Sequence, residues 1–134
     1  GGSRNIIHMH GLLNSASCIE CGWHGPRHGR LEGNRECPVC ERDALRPDIV
    51  LFGEAPRQLR QIEAALKKCN LFVAIGTSGT VYPAAGFVQI AKAHGAEAHQ
   101  FNTALPTASE QFDVCHLGNA SQLLPKWSEI FNDI

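Results

Sequence analysis

The chain has 134 residues, a length that suits a single domain. Hydrophobic residues make up 43% of it, which excludes a chain that is disordered over its whole length. The formal net charge is −1, so no overall charge favours binding to nucleic acid or to an anionic membrane. No apolar run approaches the roughly 18 residues of a membrane-spanning helix, and no signal peptide opens the sequence. These properties predict an intracellular, cytoplasmic protein without a membrane partner.

The first predicted element is a short apolar segment, Asn5–His10, which indicates a buried strand ending at Gly11. His8 and His10 would then point to the same face of that strand. An unperturbed imidazole titrates near neutral pH and can serve as a general base. His10 is the better candidate because it lies beside the glycine turn.

Two CxxC pairs follow, Cys18 with Cys21 and Cys37 with Cys40. Their spacing is typical of a two-knuckle zinc site, and it favours zinc ligands over small buried hydrophobic residues. Four thiolates fill the tetrahedral shell, so zinc there would be structural. Residues 13–46 carry little apolar surface, and metal binding would supply much of their stability. Two histidines of this segment are expected on the surface instead of in the metal shell: His24 and His28.

The rest of the chain alternates between strand and helix patterns. Asp48–Phe52 predicts a strand closed by Gly53, and an amphipathic helix with Cys69 on its apolar face follows from Pro56. The later predictions are a strand at Leu71–Ile75, a deeply buried helix at Ala84–His94, strands at Ala96–Asn102 and Val114–Leu117, and a helix from Ser121 with Leu124, Trp127, Ile130 or Phe131, and Ile134 on one stripe. Such alternation indicates an α/β fold with a parallel sheet and helices on its faces.

Ligands of an open parallel sheet bind beyond the carboxyl ends of its strands. Gly76-Thr77-Ser78 offers small residues and hydroxyls ahead of a helix and suits a phosphate or ribose, although the same tripeptide also occurs as an ordinary turn. Asn102 could contact ribose hydroxyls or act only as a turn residue. We expect one crevice to contain all the segments at strand ends: His10-Gly11, Phe52–Glu54, Gly76–Ser78, Asn102 and Gly118–Ala120.

A series of motifs in this order resembles the sirtuin family, the NAD-dependent protein-lysine deacylases, and most of all its bacterial members. The motifs are His10-Gly11, the four cysteines, Pro47-Asp48-Ile49-Val50-x-Phe52-Gly53-Glu54, Gly76-Thr77-Ser78 with Val81-Tyr82-Pro83, Asn102, and Gly118-Asn119-Ala120. The resemblance implies a Rossmann-like NAD-binding domain formed by residues 1–12 and 47–134. The small zinc-ribbon module, residues 13–46, would be inserted into it.

The resemblance also implies roles for individual residues. His10 would be the general base that activates a ribose hydroxyl after nicotinamide leaves, and the products would be free lysine, nicotinamide and O-acyl-ADP-ribose. NAD would contact Gly76, Thr77, Ser78, Asn102 and Ala120. An acyl-lysine peptide would pair as an added strand with Val50, Phe52, Gly53 and Glu54, clasped from its other side by Val81 and Tyr82. Structural Zn²⁺ would be held by Cys18, Cys21, Cys37 and Cys40.

The sequence departs from the family pattern in two ways. It lacks the opening Gly-Ala-Gly-x-Ser segment and the Gln-Asn-Ile-Asp segment of the nicotinamide pocket, so it resembles the C-terminal portion of a sirtuin catalytic domain. We expect an N-terminal segment or a partner chain to complete it. Asn102 is followed by Thr103-Ala104, where many relatives carry an acidic residue. The alternative function is a non-catalytic zinc-ribbon fragment that binds or regulates a partner.

Overall fold

The computed structural model describes residues 3–27, 29, 31–105 and 107–130. The chain divides into two compact units, Gly1–Leu59 (unit 1) and Arg60–Ile134 (unit 2). None of the helices among the described residues has the length and apolar character needed to cross a membrane. The finer division predicted from the sequence, with 13–46 inserted between 1–12 and 47–134, stays a prediction.

Unit 1 is built on a three-stranded antiparallel sheet. Its strands are β1 (Gly11–Cys18), β2 (His24–Pro26) and β3 (Leu45–Ile49), in the order β2-β1-β3. The small core of this unit consists largely of the cysteines and their neighbours: Cys18, Cys37, Ala44 and Leu45 are buried, with Trp23, Leu31 and Cys40 packed against them. Because cysteines form much of this core, the stability of unit 1 depends on their chemical state.

The predicted strand at Asn5–His10 is wrong. The backbone turns there instead, because the Met9 N–H donates to the Ile7 carbonyl and the Gly11 N–H donates to the His8 carbonyl. Ile6 is 57% exposed, so the apolar run that predicted a buried strand is not buried. The strand begins only at Gly11.

The predicted strand at Asp48–Phe52 is displaced. The observed strand, β3, starts three residues earlier and ends at Ile49. It stops because both backbone groups of Leu51 are used in a turn: the N–H donates to the Glu54 carboxylate, and the carbonyl accepts from the Glu54 N–H. A residue whose backbone is engaged in this way cannot continue a β-ladder.

Unit 2 contains a three-stranded parallel sheet. Its strands are β4 (Leu71–Ile75), β5 (Glu97–Asn102) and β6 (Val114–Leu117), in the order β4-β5-β6. The helices are α1 (Leu59–Leu66), α2 (Phe87–Ala93) and α3 (Ala120–Glu129), with 3₁₀ turns at Ala84–Gly86 and Ser109–Gln111. The predicted α/β class, with a parallel sheet, is confirmed.

Both faces of the parallel sheet carry apolar packing. Leu66, Ala91 and Ala96 are buried in a cluster that also contains Ile62, Cys69, Phe72, Phe87 and Ile90, as predicted for Cys69. On the opposite face, Phe101 is fully buried, stacked on His116 at 4.2 Å between ring centroids and touched by Trp127 of α3. Phe72 of β4 lies beside Ala98 of β5, and Phe101 is three residues further along β5. Because alternate residues of a strand point to opposite faces, Phe72 and Phe101 pack on opposite faces of the sheet.

The two remaining helix predictions need correction or restriction. The helix predicted at Ala84–His94 is not buried all round, because Gln89 and Lys92 are exposed and Lys92 pairs with Asp113 at 2.6 Å. On the last helix Leu124 and Trp127 are partly buried as predicted, whereas Ile130 is 64% exposed. Two of the predicted stripe positions, Phe131 and Ile134, lie outside the described residues, as does His28.

Candidate functional site

The four cysteines of unit 1 come together as a metal site. Their sulfur atoms all lie within 4.8 Å of one another, and the Cys18–Cys40 and Cys21–Cys37 sulfur pairs are each 3.6 Å apart. Four thiolates bound tetrahedrally to zinc would be separated by about 3.8 Å, given the usual Zn–S bond. None of the four is in a disulfide. The donor set and its spacing therefore fit one Zn²⁺ ion with a closed shell.

A backbone hydrogen bond prepares one of these thiols for metal binding. The Cys21 N–H donates to the Cys18 sulfur at 3.5 Å, and this bond is the main cause that lowers the pKa of Cys18 to about 7. Burial and the neighbouring sulfurs raise the pKa of Cys21 to about 12 and also raise that of Cys40. Zinc is bound by the thiolate and not by the thiol, so Cys18 is the ligand that is most readily deprotonated near neutral pH. The sequence predicted these ligands from spacing alone, and the structure adds the hydrogen bond.

His10 lies next to the start of β1 and is exposed. Its carbonyl accepts a 2.9 Å hydrogen bond from the Val50 N–H, and Gly11 pairs with Ile49 of β3. Gly11 has φ +83°, and a Cβ there would lie 1.9 Å from the Asp48 carbonyl oxygen. Only glycine permits this approach. The missing side chain at residue 11 thus brings His10 against the segment that follows β3.

That segment contains four residues with a predicted role in substrate binding. Val50 is partly buried, whereas Phe52, Gly53 and Glu54 are exposed, Phe52 completely. The Glu54 carboxylate accepts hydrogen bonds from the Arg46 guanidinium and from the Leu51 N–H, and these lower the pKa of Glu54 to about 2. Glu54 is therefore ionised throughout the physiological range.

Asp48 is a charged residue of unit 1 that belongs to a quoted motif but had no predicted role. It is 5% exposed, and its Oδ1 atom accepts from Arg57 Nη2 at 2.5 Å and lies 3.2 Å from His24 Nδ1. The Arg57 hydrogen bond is the main cause that lowers the pKa of Asp48, and His24 adds to it. One signal was available: an aspartate among β-branched residues, if buried, needs a cationic partner.

In unit 2 three hydrogen bonds join the loops that follow the strands of the parallel sheet. The Gly76 N–H donates to the Phe101 carbonyl, Asn102 Nδ2 to the Thr77 carbonyl, and the Gly118 N–H to the Asn102 carbonyl, each at 2.9 Å. Gly76-Thr77-Ser78, Asn102 and the segment that leads to Ala120 therefore meet at one edge, as the rule for parallel sheets predicts.

The chemistry of this edge fits the ribose and phosphate groups of NAD. Gly76, Thr77 and Ser78 are exposed, and a Cβ added to Gly76 (φ +64°) would meet nothing within 4 Å, so the loop faces open space. The Ser78 and Thr80 hydroxyls lie 2.9 Å apart and can turn toward a ligand oxygen. Small exposed residues ahead of a helical segment are suited to anionic groups.

Val81 and Tyr82, predicted to clasp the substrate, lie beyond the Gly76–Ser78 loop. Their side chains are 62% and 73% exposed. The Val81 carbonyl accepts from the Ala85 N–H at 2.9 Å, which connects this loop to the 3₁₀ turn before α2. The structure thus groups the predicted residues within each unit, His10 with Val50 in unit 1 and the glycine loop with Asn102 in unit 2. The single crevice expected for all of them stays a prediction.

Comparison with known proteins gives a consistent family assignment. The model of the Sir2 family matches residues 1–83, more than half of the chain. The chain belongs to the Sir2 family. It is 42% identical over 127 residues to the NAD-dependent protein deacylase of Pasteurella multocida, covering 94% of this chain and 54% of that protein. The corresponding deacylase of Salmonella typhimurium is 43% identical over 131 residues, covering 97% of this chain and 48% of that one.

Solved structures give the same result for the fold of this Sir2-family chain. A Sir2 homologue in complex with NAD superposes with a TM-score of 0.89 at 26% identity, covering 98% of this chain and 53% of that one. The protein Sir2Af2, bound to a myristoylated histone peptide, gives 0.79 at 30% identity, covering 99% and 61%. The chain therefore spans about half the length of the curated relatives it matches.

The Sir2-family motifs quoted from the sequence do not include every residue that organises the site. Arg46 and Arg57 flank the motif at Pro47–Glu54 on either side and form ion pairs with Glu54 and Asp48, each at 2.5 Å. A sequence shows two arginines near two acids without showing which acid each arginine reaches. The pairing of Arg46 with Glu54 depends on the turn at Leu51–Glu54, of which Leu51 and Phe52 were predicted as strand.

Proposed function

We propose that the protein acts in NAD-dependent deacylation of protein lysine side chains, as the portion of the catalytic domain that carries the base, the peptide-binding segment and the structural zinc. Membership of the Sir2 family and the similarity to bacterial deacylases support the reaction class. The observation that carries the proposal is the hydrogen bond from the Val50 N–H to the His10 carbonyl. It fixes the candidate base next to the candidate peptide-binding segment.

Each residue group has a defined task in this proposal. His10 accepts a proton at its exposed imidazole, in the role of a general base. Val50, Phe52 and Gly53 offer their backbone to a peptide that adds as a strand. Gly76, Thr77, Ser78, Asn102 and Ala120 hold NAD, which supplies the ADP-ribose acceptor for the acyl group. Val81 and Tyr82 close on the peptide.

The proposed substrates are acyl-lysine peptides or proteins. The protein Sir2Af2 bound to a myristoylated histone peptide supports this chemistry by similarity. We further propose that an N-terminal segment or a partner chain completes the nicotinamide pocket. Finally, we propose a cytoplasmic location, because four clustered cysteines without a disulfide suit a reducing compartment. Cell fractionation would test the location.

The reaction is tested by nicotinamide release from NAD in the presence of an acetyl-lysine peptide. The chain is assayed alone and after addition of the part of the Pasteurella multocida deacylase that it does not match. We expect turnover in the second condition, and a loss of at least about 100-fold in His10→Ala, the typical contribution of a general base. His8→Ala is the matched control, since His8 is an exposed histidine of the same segment.

The outcome separates the two functions considered for this chain. Turnover that depends on His10 but not on His8 supports deacylation. If neither condition gives turnover that His10→Ala abolishes, the enzymatic function is wrong, and a non-catalytic zinc-ribbon fragment becomes the better description.

A further inference from the structure

Both oxygens of the Glu54 carboxylate accept hydrogen bonds from groups of the same chain. Its Oε1 atom accepts from Arg46 Nη1 at 2.5 Å, and its Oε2 atom accepts from Arg46 Nη2 at 3.0 Å and from the Leu51 N–H at 2.9 Å. Arg46 Nη2 also donates to the Ile49 carbonyl at 3.3 Å. A bidentate arginine–carboxylate pair of this kind is stronger and more directional than a single hydrogen bond.

Apolar packing does little to hold the turn that follows β3. Leu51 is 52% exposed and Phe52 is fully exposed, so neither side chain anchors the turn. A cleft of about 300 Å³, lined in part by Ile49, Val50 and Glu54, borders the same segment. Backbone pairing with Gly11 and His10 already holds Ile49 and Val50. The side-chain hydrogen bonds of Arg46 and Glu54 therefore restrain mainly the turn at Leu51–Glu54, beside the bond from the Glu54 N–H to the Leu51 carbonyl.

We propose that Arg46 and Glu54 are a positioning pair that holds the substrate-pairing segment, residues 49–54, in the conformation that accepts a peptide strand. The inference rests on the proposed function and deepens it. It assigns Arg46 a role that no motif gave it, and it changes the role of Glu54 from a substrate contact to an internal support. Neither side chain touches the substrate.

This arrangement has a consequence for peptide selectivity. An unpaired carboxylate at Glu54 would attract lysine or arginine in the incoming peptide. The Arg46 guanidinium neutralises that charge, so the peptide would be recognised through backbone hydrogen bonds and not through a cationic side chain. Strand addition of this type depends on the backbone groups being held in place before binding, because ordering them during binding costs affinity.

The experiment compares Arg46→Ala, Glu54→Ala and the double variant in the complemented protein used for the deacylation assay. Two quantities are measured: the equilibrium affinity for a fluorescein-labelled acetyl-lysine peptide, and the hydrogen-exchange rate of the Leu51 amide. The matched control is the exposed ion pair Arg42–Glu20, at 2.6 Å in the same unit, replaced by alanine at both positions. Arg46→Lys is added as a milder variant that keeps the charge and loses the bidentate geometry.

If the pair positions the segment, each single alanine variant weakens peptide binding about tenfold, the scale of a charge-assisted hydrogen bond. The double variant is also about tenfold weaker and not about a hundredfold weaker, because the second substitution removes a group whose partner is already lost. Exchange of the Leu51 amide is faster in all three, kcat changes less than KM, and Arg46→Lys is intermediate. The Arg42–Glu20 control leaves both quantities unchanged.

Three results would overturn the inference. Unchanged Leu51 exchange in Arg46→Ala would mean that the pair does not hold the turn. Additive losses in the double variant would mean that the two residues act separately, as a direct substrate contact by Glu54 requires. Unchanged peptide affinity in a parent protein that does bind would mean that the turn does not matter for substrate. If the parent shows neither peptide binding nor turnover, the proposed function fails, and the inference fails with it.

Discussion

Unit 1 buries two of its four clustered cysteines and one charged aspartate, whereas unit 2 buries aromatic and aliphatic side chains on both faces of a parallel sheet. The buried cluster of unit 1 contains Cys18, Cys37, Ala44 and Leu45, with Trp23 and Leu31 partly buried against it, and offers little apolar surface. Unit 2 has Phe101 fully buried and a second cluster around Leu66 and Ala91. Metal ligation and ion pairs must therefore supply the stability in unit 1 that hydrophobic burial supplies in unit 2.

This difference matters for function because the proposed chemistry depends on unit 1 for its geometry. His10 and the substrate-pairing segment are placed by Gly11 and by the Arg46–Glu54 pair, on a scaffold that has a small core. The loops of unit 2 that are proposed to bind NAD instead follow the strands of the parallel sheet, of which β5 is the most buried. The same difference between the units ranks the expected effects on stability. Metal removal should have the largest effect and protonation of one histidine the smallest.

Zinc removal should have the largest effect and should be confined to unit 1. Structural zinc sites contribute an apparent binding free energy on the order of 10 kcal/mol, which is comparable to the stability of a whole small domain. We expect a chelator to abolish hydrogen-exchange protection in β1 and β3 while β4 and β5 stay protected. Hydrogen exchange followed by mass spectrometry measures both regions in one sample.

The cysteines themselves supply the control for that experiment. Cys18→Ser should reproduce the effect of the chelator, because it removes one ligand of the four. Cys69→Ser should not, because Cys69 packs in the apolar cluster of unit 2. Equal loss of protection in both units would show that metal and hydrophobic burial are not divided as described.

Loss of the central aromatic residue should be the largest single-residue effect in unit 2. Phe101 is fully buried and stacks on His116 at 4.2 Å. Phe101→Ala is expected to lower the free energy of unfolding by about 3–5 kcal/mol, the usual cost of truncating a buried phenylalanine. Denaturant titration measures this difference. Phe52→Ala is the matched control, since Phe52 is fully exposed, and a cost above about 0.5 kcal/mol there would contradict the assignment of its exposure.

The same contrast explains which elements could be predicted from the sequence. Leu71–Ile75 was predicted with its observed bounds, because a continuous apolar run is typical of a strand whose faces are covered. The short strand Val114–Leu117 was also predicted with its observed bounds. The zinc ligands could be predicted because each pair is close in sequence and the spacing reflects the coordination geometry. In both cases the decisive interaction is encoded locally.

The failures in unit 1 have the opposite cause. Asn5–His10 and Asp48–Phe52 have the composition of strands, but local hydrogen bonds turn the backbone in each segment. In the second segment the acceptor is the Glu54 carboxylate, which lies outside the apolar run. The partners of Asp48, His24 and Arg57, could not be assigned because many acid–base pairings are compatible with one sequence. Site geometry held by side-chain pairs is therefore less predictable than geometry held by burial.

Substitution of Gly11 tests how closely β1 and β3 must approach each other in unit 1. A Cβ at this position would lie 1.9 Å from the Asp48 carbonyl oxygen, with φ at +83°. We expect Gly11→Ala to lower the free energy of unfolding by about 3 kcal/mol, the sum of left-handed strain and a backbone overlap. Thermal unfolding of the zinc-loaded protein measures it.

The control for Gly11 separates strain from steric overlap. Gly33 has a similar φ of +72°, but a Cβ there would meet nothing within 4 Å. Gly33→Ala should therefore cost only about 1 kcal/mol, from strain alone. Equal costs at the two positions would mean that the strands can separate to accept a methyl group, and that His10 is less firmly placed than its hydrogen bond indicates.

The smallest expected effect comes from protonation of His116 in unit 2. Burial and the nearby His99 lower the pKa of His116 from its ordinary value of 6.5. Its neighbours are His99, whose Nδ1 lies 3.3 Å from His116 Nε2, and Trp127, which donates to the same His99 nitrogen, while Glu97 is bound to the other side of His99. The Glu97 carboxylate thus reaches His99 and not His116.

A lowered pKa in the folded state means that the unfolded chain binds the proton more readily, so acid favours unfolding. The contribution of His116 to stability is present above pH 6.5 and is lost as the pH falls below that value toward the folded-state pKa. The unfolding temperature of unit 2 should therefore decrease by a few degrees between pH 7.5 and 5.5. His116→Phe, which keeps the stacking on Phe101, should flatten that slope, whereas His94→Gln, at an exposed histidine, should not. An unchanged slope in His116→Phe would mean that unit 2 tolerates a charge inside its aromatic layer, and that its stability rests less on burial than the comparison with unit 1 requires.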